Sequence, residues 1–95
     1  MVRRRSSVPA PTIREILIRA RCGQSELERR AGLSRNDAWR YVSGRRTPMI
    51  PTLLRMAEAL RCDVGDLARA LLVAQRDREE RREQQRRLRL ALGQP

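Results

Sequence analysis

Residues 24–48 read QSELERRAGLSRNDAWRYVSGRRTP, and this stretch decides the fold. Leu27 and Ala31 lie four apart, the spacing of one helical face. Gly32 stands where a helix turns left-handed and stops. Ser34 offers a hydroxyl to cap a second helix, with Asp37 at its third position. Ala38, Tyr41 and Val42 repeat the inward spacing, and Gly44 closes that helix beside Arg45 and Arg46. Two short helices joined by a glycine-containing turn make a helix-turn-helix, whose second helix can enter a DNA major groove.

The pattern extends on both sides. Thr12-x-x-Glu15 has the form of a capping box, and Ile13, Ile16, Leu17 and Ala20 follow on one face. Gly23 marks the break before the second helix, with Ser25-x-x-Glu28 as a rival start. Beyond the Arg45–Pro48 loop, Pro51 fits the first turn of a fourth helix whose apolar face is Leu53, Leu54, Met56, Ala57 and Leu60. Asp63-x-x-Asp66 opens a fifth helix that points Val64, Leu67 and Leu71 inward. Five helices without strand-like alternation give an all-α domain over residues 12–75. Residues 1–11 read as a flexible basic arm, and a charged tail over 76–95 is expected to continue helix 5.

Composition narrows the function. The 95 residues carry a formal net charge of +11, and all 22 basic residues are Arg. Such an excess favours a polyanionic partner, and Arg forks grip phosphate and guanine edges in bidentate fashion. Cys22 and Cys62 are too few and too distant for a zinc site, the chain has no His, and each thiol fits a helical apolar pattern as a buried free Cys. No cofactor is expected, and no catalysis, since no nucleophile has a base three or four residues away on a shared face. No stretch approaches the ~20 apolar residues of a membrane span. The basic N-terminus lacks the apolar run of a secretory signal, so a cytoplasmic, nucleoid-associated location is expected.

On the third helix, Arg35, Asn36, Trp39, Arg40 and Ser43 point away from the inward set. Arg suits guanine and Asn suits adenine, so these five are the candidate base contacts. Gln24, Ser34, Arg45, Arg46 and Thr47 surround them as candidate backbone contacts, which set register without carrying sequence information. Arg3, Arg4 and Arg5 form either a solvated tail or an arm along the backbone or minor groove. Trp39 is open to two readings, stacking at DNA or packing in a core or interface.

The span from Thr12 to Leu72 resembles the phage repressor/Cro-like (XRE-type) family. Gln24, Leu27, Gly32 and Gly44 match its helix-turn-helix, and Pro48 followed by LLRMAEAL resembles its next helix. The resemblance implies a five-helix DNA-binding domain, with Arg35, Asn36, Arg40 and Ser43 facing bases and Gln24, Arg45 and Arg46 near the backbone. Three residues depart from its pattern. Glu28 stands where Ala is usual and must reach solvent or a partner, since unpaired burial would cost several kcal/mol. Arg61 replaces a glycine, and Trp39 a small residue.

These readings converge on sequence-specific binding of double-stranded DNA, as a transcriptional repressor or regulator. One such domain reads few base pairs, so a homodimer is expected, joined through Leu67, Leu71 and Leu72 or through the tail. An antitoxin or DNA-maintenance protein would share the fold, and a protein-interaction module would use the tail to bind another protein. In the tail, Asp77 with Arg81 and Glu83 with Arg87 have favourable four-residue spacing. A heptad seam through Leu67, Leu71, Ala74, Arg78, Arg81, Gln85, Leu88 and Leu92 is polar in its middle, which gives little to a coiled coil.

Overall fold

The computed structural model describes residues 10–93. Five helices follow one another: α1 (Ile13–Arg19), α2 (Gln24–Ala31), α3 (Arg35–Val42), α4 (Ile50–Leu60) and α5 (Val64–Ala91). The molecule is all-α, as its periodicity predicts.

Three helix starts use the side chains expected to cap them. The Thr12 hydroxyl accepts from the Glu15 N–H while the Glu15 carboxylate accepts from the Thr12 N–H, both at 3.1 Å. Ser34 Oγ accepts from the Asp37 N–H at 3.1 Å, and Asp63 Oδ2 from the Asp66 N–H at 3.0 Å. Each such bond satisfies a backbone donor that has no partner inside the helix. α2 starts directly after Gly23 without a side-chain cap, so the Ser25 start is not used.

The first four helices end in one common way. A left-handed residue follows, and the next N–H reaches back five residues to a carbonyl, the Schellman arrangement. These bonds run from Cys22 to Leu17 (3.0 Å), Leu33 to Glu28 (2.9 Å), Arg45 to Arg40 (2.8 Å) and Cys62 to Ala57 (3.1 Å). The left-handed residues are Arg21, Gly32, Gly44 and Arg61. Both cysteines therefore lie in caps, not in the helical pattern expected for them. Cys22 is buried and Cys62 half-buried, and both pack on the core as the apolar residue that closes the motif. Burial raises both thiol pKa values above the ordinary value.

Leu27, Met56 and Leu67 are fully buried at the centre, surrounded by Ile13, Ile16, Tyr41, Leu60 and Leu71. Burying each of these large side chains contributes about 1.5–3 kcal/mol. α4 also holds α2 by a polar tie, in which Arg55 Nε donates to the Ala31 carbonyl at 3.2 Å. This satisfies an acceptor in the last turn of α2 that no helical N–H can reach.

Four expected positions need correction. Leu67 and Leu71 are 0% and 3% exposed, so they belong to the core of the protomer and present no surface to a partner. Of the expected dimer residues only Leu72 is open to solvent. Val64, in the first turn of α5, and Leu54, on the outer side of α4, are exposed rather than inward, because their helices turn those positions past the edge of the packed face.

α5 runs 28 residues without a break, about 42 Å at 1.5 Å per residue. Its buried stripe ends at Leu71, with Ala74 packed partly against the core. Beyond that the backbone stays helical while the side chains turn polar. Glu83 braces this extension, accepting from Arg86 at 2.7 Å and lying 3.4 Å from Arg87.

Candidate nucleic-acid interface

α3 is anchored from below. Ala38 is fully buried and Tyr41 nearly so, while Val42 packs partly on the same core. With 100° between successive residues, this anchoring turns Arg35, Asn36, Trp39 and Arg40 outward. Arg35, Asn36 and Arg40 are exposed, and their side chains have no hydrogen-bond partner among the described residues. They form one outward set of two forked cations and one amide. Ser43 is less open: it is half-buried, and its hydroxyl lies 3.5 Å from the Arg40 carbonyl.

Trp39 is 43% exposed and takes no place in the core. The guanidinium carbon of Arg45 lies 4.1 Å from the centre of its ring. This stacking fixes the first residue of the loop against the outer face of α3. Arg46 is exposed, its N–H directed to the Arg40 carbonyl at 3.2 Å.

The remaining candidates have internal duties. Ser34 caps α3 through its hydroxyl. Gln24 is half-buried, and its amide donates to Glu28 Oε2 at 3.3 Å. That bond accommodates the unusual carboxylate at position 28, which stays half-buried beside the turn while α2 and α3 pack together. The Thr47 hydroxyl donates to Gln75 Oε1 at 2.8 Å, tying the loop to α5. Arg3, Arg4 and Arg5 lie outside the described residues.

Gly44 does more than end α3. Its φ is +80°, and a Cβ placed there would stand 2.5 Å from the Ala74 carbonyl oxygen. The absence of a side chain lets α5 approach the end of α3 at backbone contact. Sequence periodicity gives the helix stop but not this approach, because residues 44 and 74 share no pattern. The Arg45–Trp39 and Thr47–Gln75 pairs also have no signal at helical or strand spacing.

Charge is divided between the two helices. On α2, Arg29 and Arg30 pair with Glu26 at 2.6 and 3.2 Å, and the hydrogen bond from Arg29 leads the effects that lower the Glu26 pKa. Around α3, no carboxylate lies within ion-pair distance of Arg35, Arg40, Arg45 or Arg46 among the described residues. A face of uncompensated arginines around a projecting helix suits a polyanion with groove edges to read. No cluster that could hold a metal ion occurs among the described residues, and no helix there is long and apolar enough to cross a membrane.

Residues 12–70 match the Cro/C1-type HTH DNA-binding domain. The chain belongs to this family. The match takes in all of α1 to α4 and the buried first turns of α5, and it stops before the charged extension. Neither a curated protein nor a solved structure is significantly similar to the chain. Membership carries a DNA-binding regulatory role, and α2 and α3 are the two helices of the family's motif.

Proposed function

We propose that this Cro/C1-type protein binds a specific double-stranded DNA site and represses transcription by occupying it. The observation that carries the reading is the outward set of α3: Arg35, Asn36 and Arg40 are exposed, and unpartnered among the described residues, beside a buried Ala38 and Tyr41. In this reading Arg35, Asn36 and Arg40 read base edges in the major groove, with Trp39 and Ser43 beside them. Arg45, Arg46, Gln24, Ser34 and Thr47 lie along the flanking phosphates. The protein works without cofactor or chemical step, in the cytoplasm on the nucleoid.

A homodimer would let two α3 helices read half-sites a helical turn of ~34–36 Å apart. With Leu67 and Leu71 in the core, the pairing surface falls to the exposed Leu72 and to the far end of the α5 extension, where Leu88 and Leu92 are exposed. An antitoxin or DNA-maintenance role would instead appear as a second protein copurifying with the chain.

The test is selection of bound sequences from random duplex DNA, followed by a competition measurement on the selected site. Enrichment of one site, bound at least about 1000-fold tighter than random duplex, is expected. Recovery of unselected sequence with purely salt-controlled affinity would overturn the specific reading.

A further inference from the structure

The stripe that buries α5 does not end where the core ends. Leu67, Ala70, Leu71 and Ala74 face the other helices, and Arg78, Arg81, Arg82 and Gln85 continue the same helical spacing. This polar stretch lines an open groove of about 750 Å³ between α5, the start of α1 and the end of α3. Five arginines line it, Arg14, Arg45, Arg78, Arg81 and Arg82, against one carboxylate, Asp77.

Among the described residues none of these cations forms an ion pair. Glu83, the carboxylate of the extension that forms ion pairs, holds Arg86 and Arg87, and none lies within ion-pair distance of Arg78, Arg81 or Arg82 among the described residues. Arg78 is half-buried, and burial, then Arg45 and Arg82, lower its pKa against a smaller opposing effect of Glu79. An arginine still keeps its proton at neutral pH, so the groove keeps an excess of positive charge that suits an anion.

The groove is also firmly placed. The Gly44–Ala74 approach and the Thr47–Gln75 hydrogen bond fix α5 on the end of α3 just before Arg78. Arg45 belongs to both surfaces, since it stacks on Trp39 and lines the groove. The cationic band therefore continues without a gap from the outer face of α3 into the groove.

We infer that this groove holds the phosphodiester backbone of duplex DNA flanking the bases that α3 faces, making the α5 extension a second DNA-gripping element. The inference rests on the DNA reading of α3. It adds a contact beyond residues 12–70, the part that matches the family. Forked guanidinium groups suit phosphate oxygens, and phosphate contacts add affinity and register without base preference.

The test compares two full-length variants of equal charge on the selected duplex and on random duplex over a range of salt. Arg78→Gln/Arg82→Gln removes charge from the groove. Arg76→Gln/Arg87→Gln removes it from roughly the opposite side of α5. Thermal melting first shows that both variants fold. The groove variant is expected to lower the slope of log affinity against log salt by about 1–2, at about 0.9 for each phosphate no longer neutralised. The ranking of sites should stay unchanged, and the control should keep nearly the wild-type slope. Trimming the duplex down to the selected bases should erase the difference between wild type and groove variant. Equal effects from the two variants would reduce the groove to general charge and overturn the inference, as would an unchanged slope in the groove variant. A shift in base preference would also overturn it, by making these arginines readers rather than clamps. Wild-type protein that bound no duplex at all would bring down the α3 reading as well, an outcome distinct from all of these.

Discussion

Arg45 lies over the face of Trp39, its guanidinium carbon 4.1 Å from the ring centre, and so joins the loop after α3 to the outer surface of α3 itself. Stacking of this kind at a partly exposed site contributes about 0.5–1 kcal/mol. Its greater effect is on placement, because a long side chain otherwise free to rotate is held in one direction before DNA arrives. Trp39→Ala should therefore weaken DNA binding partly through Arg45. In a double-mutant cycle of Trp39→Ala and Arg45→Ala, measured by DNA affinity, a coupling of about 0.5–1 kcal/mol is expected. Strictly additive effects would mean that the two residues act separately on DNA.

Gly44 and Gly32 both have positive φ, at +80° and +67°, but only Gly44 faces a neighbour that a methyl group would strike. Gly32→Ala should cost about 1 kcal/mol, from the left-handed backbone alone. Gly44→Ala adds a clash with backbone that cannot swing aside, and should cost about 3 kcal/mol. Urea unfolding of both variants gives the comparison. Equal losses would show that α5 does not depend on close approach to the end of α3.

The contrast between these glycines marks how far the sequence could be read. Helix starts were legible because a cap needs a side-chain oxygen at fixed spacing, as at Thr12, Ser34 and Asp63. The outward set of α3 was legible because Ala38 and Tyr41 leave little choice of face. The role of α5 was only half legible. Periodicity put Leu67 and Leu71 on one stripe, but a stripe does not say whether its own chain or a partner covers it. Here α1 and α4 cover it, leaving Leu72 outside. The ties between residues 39 and 45, 44 and 74, and 47 and 75 arise from packing of whole helices and leave no periodic trace.

Arg61 ends α4 with φ +51°, a conformation that suits glycine better than a residue with a Cβ. It is exposed, and its side chain forms no ion pair among the described residues. Arg61→Gly should raise stability by about 1 kcal/mol, relief of left-handed strain outweighing the entropy of glycine in the unfolded chain. Chemical unfolding at neutral pH measures this. A loss of stability would show that the arginine side chain contributes more than its backbone costs.

The capping box of α1 gives an acid-sensitive term. The Glu15 pKa is lowered from 4.5, first by its hydrogen bond to the Thr12 backbone and next by that to the Thr12 side chain. A carboxyl depressed on folding stabilises the protein above its unfolded pKa, and that stability is lost as pH falls through the folded value. Glu15→Gln should therefore melt below wild type at pH 6, and the gap should narrow as the pH drops below about 4.5. A gap of constant size from pH 6 to pH 3 would show that the charge on Glu15 is not what the cap uses.

The DNA reading depends most on Arg35, Asn36 and Arg40. All three are exposed, and none has a side-chain hydrogen bond among the described residues. Their removal should change stability by no more than about 0.5 kcal/mol. If they read bases, each alanine variant should lose about 1–3 kcal/mol of discrimination between the selected site and random duplex. The loss should fall at a particular base position for each variant, with the salt slope nearly unchanged. This separates them from Arg45, Arg46 and the α5 groove, whose removal should lower the slope and leave base preference intact. Competition binding of the three single variants across salt concentrations measures both quantities together. Unchanged discrimination in all three would falsify α3 as the recognition element, whatever affinity the net charge still supplied.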